Sequence, residues 1–63
     1  MRYIITRIKE DGTKDYMYRA FPTTKFIKDK QLAMRMDGYA AQVKSYHLKS
    51  IKVNHIIEAV EEF

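Results

Sequence analysis

Two runs in which Ile, Tyr, Thr and Met recur flank Glu10-Asp11-Gly12 within the stretch Met1 to Phe21, and such runs around a glycine-containing turn predict a β-hairpin. Two registers are open. A two-residue type I′ turn at Asp11-Gly12 sets Ile4, Thr6, Ile8, Asp15, Met17 and Arg19 on one face, and Tyr3, Ile5, Arg7, Tyr16, Tyr18 and Ala20 on the other. A three-residue loop, a type I turn with Gly12 left-handed as a G1 bulge, moves the second strand by one residue. Ile4, Thr6, Ile8, Tyr16, Tyr18 and Ala20 then share a face, and Tyr3, Ile5, Arg7, Lys9, Asp15, Met17 and Arg19 share the other. Because a one-residue slip flips every side chain, the register with the more apolar face is expected. That choice predicts the bulge, a positive φ at Gly12, and a core built on the Ile4 face.

Phe21-Pro22-Thr23-Thr24 ends the second strand, since Pro22 has no N–H for a ladder and holds Phe21 extended. Lys25 to Gln31 carries only Phe26 and Ile27 as apolar residues and reads as a loop or one loose helical turn pinned by those two. The rival is a helix capped by Thr24 and running to Met36. Leu32 to Met36 alternates as a short third strand. Asp37 is placed to cap a helix over Gly38 to Lys49, in which Tyr39, Ala40, Val43, Tyr46, His47 and Ser50 form one stripe at helical spacing. The segment from Ile51 is β-branched enough for a closing strand to about Ala59, with Ile51, Val53, His55, Ile57, Ala59 and Phe63 on one face. Its alternative is a helix capped by Asn54, with Ile56, Ile57, Val60 and Phe63 as its stripe.

The expected fold is therefore α+β: one domain over residues 1–63, ββ(loop)βαβ in order, with one helix packed on a three- to four-stranded, largely antiparallel sheet. Its predicted core is Ile4, Ile8, Tyr18, Val43, Tyr46, Val53 and Ile57.

Length and charge sharpen this picture. Sixty-three residues allow only a thin core, and the absence of cysteine removes disulfides and thiolate metal sites as supports. A partner or a second copy is the remaining source of stability. No run approaches the length of a membrane span and the N-terminus enters a strand pattern at once, so an intracellular, cytoplasmic protein without a membrane partner is expected. Residues 1–52 hold all 12 Lys and Arg against five acidic residues, a balance of +7, whereas residues 53–63 hold Glu58, Glu61 and Glu62, a balance of −3. A basic body points to nucleic acid or an acidic protein surface, although a small domain also needs surface charge simply to stay dissolved.

Catalytic chemistry finds little footing. Gly12 and Gly38 are isolated, so there is no phosphate loop. His47 and His55 come from different elements without a carboxylate at a shared-site spacing, and structural or surface roles are expected of them. Ser45 and Ser50 have no partner visible in the sequence. Glu58, Glu61 and Glu62 read as a solvated edge. No enzyme activity, cofactor, metal or small-molecule substrate is expected. Binding chemistry is better represented: Tyr3, Ile5, Arg7, Lys9, Met17 and Arg19 bring aromatic, apolar and cationic groups to the outer hairpin face. That mixture suits a protein interface, including a homodimer, or a strand of nucleic acid held by phosphate contacts and base stacking.

The order of a hairpin, Ala33-Met34-Arg35-Met36, Asp37 opening a helix with Ala40-Ala41 in its first turns, and a closing strand resembles small uncharacterised accessory proteins of phages and prophages. In those an Ala-x-Arg-aromatic strand precedes the helix, and here Met36 stands at the aromatic position. The resemblance implies a viral or mobile-element setting, host cytoplasm included, and a non-enzymatic role. It carries over no functional residue.

Overall fold

The structure, a computed structural model, describes residues 1–20 and 22–60. Strands β1 (Arg2–Ile8), β2 (Lys14–Arg19), β3 (Lys25–Ile27) and β4 (His55–Val60) form one antiparallel sheet in the order β3-β2-β1-β4, and helix α1 (Gly38–Ser50) packs on it. The fold is the expected α+β arrangement. No helix among the described residues is long and apolar enough to cross a membrane.

The hairpin takes the three-residue loop. Thr6 lies opposite Tyr16 and Arg7 opposite Asp15, which leaves Glu10-Asp11-Gly12 between Lys9 and Thr13. The Gly12 N–H donates to the Lys9 carbonyl at 2.9 Å and Gly12 has φ 87°, a conformation that costs little only without a Cβ. Asp11 stiffens the loop by accepting from the Thr13 hydroxyl at 2.6 Å and its N–H at 3.0 Å. The hydroxyl bond is the main reason the Asp11 carboxyl lies below its usual range.

Past Thr6 and Tyr16 the two hairpin strands separate, and Met34 to Met36 enter the gap. Met34 N–H donates to the Met17 carbonyl at 2.9 Å, and Tyr3 and Met36 exchange a pair of bonds at 2.7 and 2.9 Å. This wedge is what remains of the strand expected over Leu32 to Met36. Its first residues are unavailable, because Leu32 and Ala33 donate into a single 3-10 turn, Lys30–Leu32, capped by Asp29. The third strand lies earlier, at Lys25–Ile27, where a loop was expected. The Thr24-capped helix does not form.

The largest correction concerns the core. α1 covers the face that bears Tyr3, Ile5 and Met17: Ile5, Met17, Met36, Ala41 and Leu48 are buried together, with Tyr3, Phe26 and Val53 packed against them. Of the predicted core, Ile4 is buried; Ile8 and Val53 are half-buried; Tyr18, Val43, Tyr46 and Ile57 are exposed. Two effects make the less apolar hairpin face the covered one. Its charges neutralise each other, since Arg7 clamps Asp15 with two guanidinium bonds, and Met36 from the wedge adds the apolar volume the hairpin lacks. Ile4 and Thr6 are nevertheless wholly buried on the opposite face. Lys30 of the 3-10 turn reaches Glu58 at 3.2 Å, and Glu58 lies opposite Ile4 and accepts from the Thr6 hydroxyl at 2.6 Å. The sheet is thus flanked by a helix on one side and an irregular segment on the other.

The closing strand runs His55–Val60 and begins later than expected, because Ile51 and Lys52 belong to the end of α1. The expectations for Phe21, Glu61, Glu62 and Phe63 fall outside the described residues.

Candidate interaction surface

The six residues expected to bind a partner do not form an open face. Ile5 and Met17 are core, Tyr3 is half-buried with its ring against Gly38, and only Arg19 is well exposed. Arg7 is engaged on both sides of its guanidinium. It pairs with Asp15 and lies 4.2 Å above the centre of the Phe26 ring, a cation–π contact. The hydrogen bonds that Arg7 donates to the Asp15 carboxylate are the chief reason the Arg7 pKa is raised. For Asp15, burial pushes the carboxyl up, but the Arg7 bond and the charges of Arg7 and Lys9 together bring it below its ordinary range. Lys9 stands 3.6 Å from Asp15. The cluster is a satisfied ion-pair group on the sheet, with Asp15 buried and Arg7 and Lys9 part-exposed.

The exposed candidate lies on α1. Asp37 caps the helix by accepting from the Ala40 N–H at 2.8 Å, as its position suggested. The helix then turns Ala41, Ser45 and Leu48 to the sheet. Tyr39, Val43 and Tyr46 have the same spacing and, at 100° per residue, fall on the opposite side. They are 79, 51 and 77 % exposed. Both tyrosines of the helix therefore point to solvent while Ala41, Ser45 and Leu48 point inward, which is the reverse of the stripe read from the sequence. Around them stand Gln42, His47 and Lys49, all exposed, with Lys44 half-buried, and no acidic residue occurs between Gly38 and Ser50. Val43 and His47 also line a cleft with Met17, Ala20, Thr24 and Lys44.

Ser45 is tolerated in the interface because it has a partner that sequence spacing did not reveal. Its Oγ lies 2.6 Å from His55 Nε2, while His55 Nδ1 is 2.8 Å from the Val53 carbonyl. A carbonyl only accepts, so Nδ1 carries the proton and, in the neutral ring, Nε2 accepts from the Ser45 hydroxyl. A hydroxyl on an oriented imidazole is the arrangement that activates a nucleophile, but Ser45 is buried in mid-helix beneath the strand it bonds. The pair ties α1 to β4. His47, by contrast, is exposed on the outer helix surface.

Glu58 is held below its usual carboxylate range, first by the Thr6 hydroxyl and, against the effect of burial, by Lys30. It is thereby committed to fixing the 3-10 turn. Compared with known proteins, no family model, no curated protein and no solved structure matches this chain.

Proposed function

We propose that this chain is a small non-enzymatic protein-interaction module of the cytoplasm, and that α1 carries its recognition surface. The observation behind this reading is the solvent-facing Tyr39-Val43-Tyr46 stripe. Anchors at i, i+4 and i+7 suit a helix laid along a groove of a partner. Tyrosine supplies contact area at little entropic cost and is enriched at interface centres. The helix lacks carboxylates while carrying Lys44 and Lys49, so the complementary partner is a protein whose groove is apolar with an acidic rim. The resemblance to phage and prophage accessory proteins favours a host or viral protein in that place.

A nucleic-acid partner is the second reading, supported by the net charge of +4. It no longer draws on the hairpin face, whose Arg7 is neutralised by Asp15, and would use the same helix through Lys44, Lys49 and stacked tyrosines. Capture with the whole chain, with and without nuclease, followed by affinity measurement on the captured species, separates the two. For a protein partner, Tyr39→Ala and Tyr46→Ala each weaken binding tenfold or more, on the order of a hot-spot loss, and Lys49→Ala acts mainly on the association rate. Binding that nuclease abolishes, and whose salt dependence flattens in Lys44→Ala and Lys49→Ala, rejects the protein reading.

A further inference from the structure

The two outer strands of the sheet differ in how they are protected. β3 spans three residues, begins at Lys25 and pairs with β2 across a register shift between Met17 and Arg19. Short length, lysine and irregular pairing are the usual defences of an edge. β4 has six residues and contains no Pro, Gly, Lys or Arg, and it leaves Ile56 and Ile57 exposed. Its backbone phase follows from one bond: Ile8 N–H donates to the Asn54 carbonyl at 2.9 Å. Antiparallel bonding alternates along a strand, so Ile56, Glu58 and Val60 turn their N–H and C=O groups to β1. His55, Ile57 and Ala59 turn theirs outward, and among the described residues no backbone group meets them.

We infer that a second copy of this chain pairs along β4, antiparallel, about a two-fold axis through Ile57. The ladder permits few alternatives. Outward-bonding residues must face outward-bonding residues, so the axis passes through a residue and not between two. An axis at Glu58 sets two carboxylates opposite each other in a close, non-hydrogen-bonded pair. An axis at Ile56 calls on Val53, whose N–H already donates to the Leu48 carbonyl at 2.9 Å. An axis at Ile57 matches the strand from end to end: Ile57 faces its own copy, His55 faces Ala59, and Ile56 covers the stem of Glu58. The result is one eight-stranded sheet with both helices on the same side. Tyr39, Val43 and Tyr46 of α1 are exposed on the side of the helix away from the sheet.

The test uses the purified chain alone. Sedimentation equilibrium from micromolar to millimolar concentration is expected to show the mass doubling from 7.5 kDa. Ala59→Pro removes an outward N–H and none of the bonds to β1, which is where an edge accepts proline. It is expected to keep the far-ultraviolet spectrum of the fold and to lose the dimer. Because the chain has no cysteine, Ile57→Cys offers one thiol per copy. In a hydrogen-bonded pair the Cα atoms stand about 5.5 Å apart, inside the disulfide range, so mild oxidation yields the covalent dimer. Ala59→Cys does not cross-link, because four residue steps, roughly 13 Å, separate the two copies of that position. A chain that stays monomeric at millimolar concentration overturns the inference. So does a folded Ala59→Pro variant that still dimerises, or cross-linking that favours Ala59→Cys over Ile57→Cys.

Discussion

Lys52 shows how one residue sets the end of an element. It holds φ 61°, donates to the Lys49 carbonyl at 3.1 Å, and is followed by Val53, which donates to the Leu48 carbonyl at 2.9 Å. This is the Schellman arrangement, with Val53 packed against the core cluster that includes Leu48. Glycine is the usual residue at that position, and lysine there bears a left-handed penalty of about 1 kcal/mol. Lys52→Gly is therefore expected to raise stability by roughly that amount in urea melts. Gly12, at φ 87°, is the converse case: Gly12→Val should cost on the order of 1 kcal/mol or more, while Gly38→Ala, whose new methyl meets the Tyr3 ring at an ordinary 3.5 Å, should be close to neutral. Equal losses at Gly12 and Gly38 would contradict the turn geometry.

At the scale of the element, α1 separates existence from orientation. Its boundaries and cap were legible, because Asp37 and the run to Ser50 are local signals. Its facing was not. Tyr39, Val43 and Tyr46 make the heavier apolar stripe, but the gap above the sheet is filled by Ala41, Ser45 and Leu48, and Ser45 becomes acceptable only through His55, ten positions away. The hairpin loop was readable for the same local reason. Its buried side depended on Met36 and on the Arg7–Asp15 pair, which exist only once distant segments meet. Leu48→Ala is accordingly expected to cost about 2–5 kcal/mol, whereas Val43→Ala should fall within about 0.5 kcal/mol of the parent. Val43→Asp, which would unfold a chain with Val43 in its core, is expected to stay folded. Thermal melts of these variants check the orientation directly.

For the whole molecule, the two carboxylates that brace opposite faces of the sheet set its response to acid. Asp15, paired with Arg7, and Glu58, paired with Lys30 of the 3-10 turn, are both held below their ordinary range. A carboxylate with a lowered pKa in the folded state contributes stability that is fully present above its unfolded value and is lost as the pH falls through the folded one. The melting temperature should therefore be level on the neutral side of the carboxylate range and decline below it. Asp15→Asn and Glu58→Gln should each lower the plateau and shallow the decline. An unchanged acid profile in the double variant would mean that these pairs do not govern acid unfolding.

The gap between the hairpin strands also dictates an order of assembly. β1 lies inside the sheet, yet Tyr3 takes its backbone partners from Met36, and the remaining edge of β1 is closed by β4. A chain growing from its amino end can fold the turn around Gly12 from neighbouring residues alone. It cannot finish its own central strand. That strand must wait, one edge bare, until the segment through Met36 and then β4 have left the ribosome, so it stays open to wrong pairing until both have arrived.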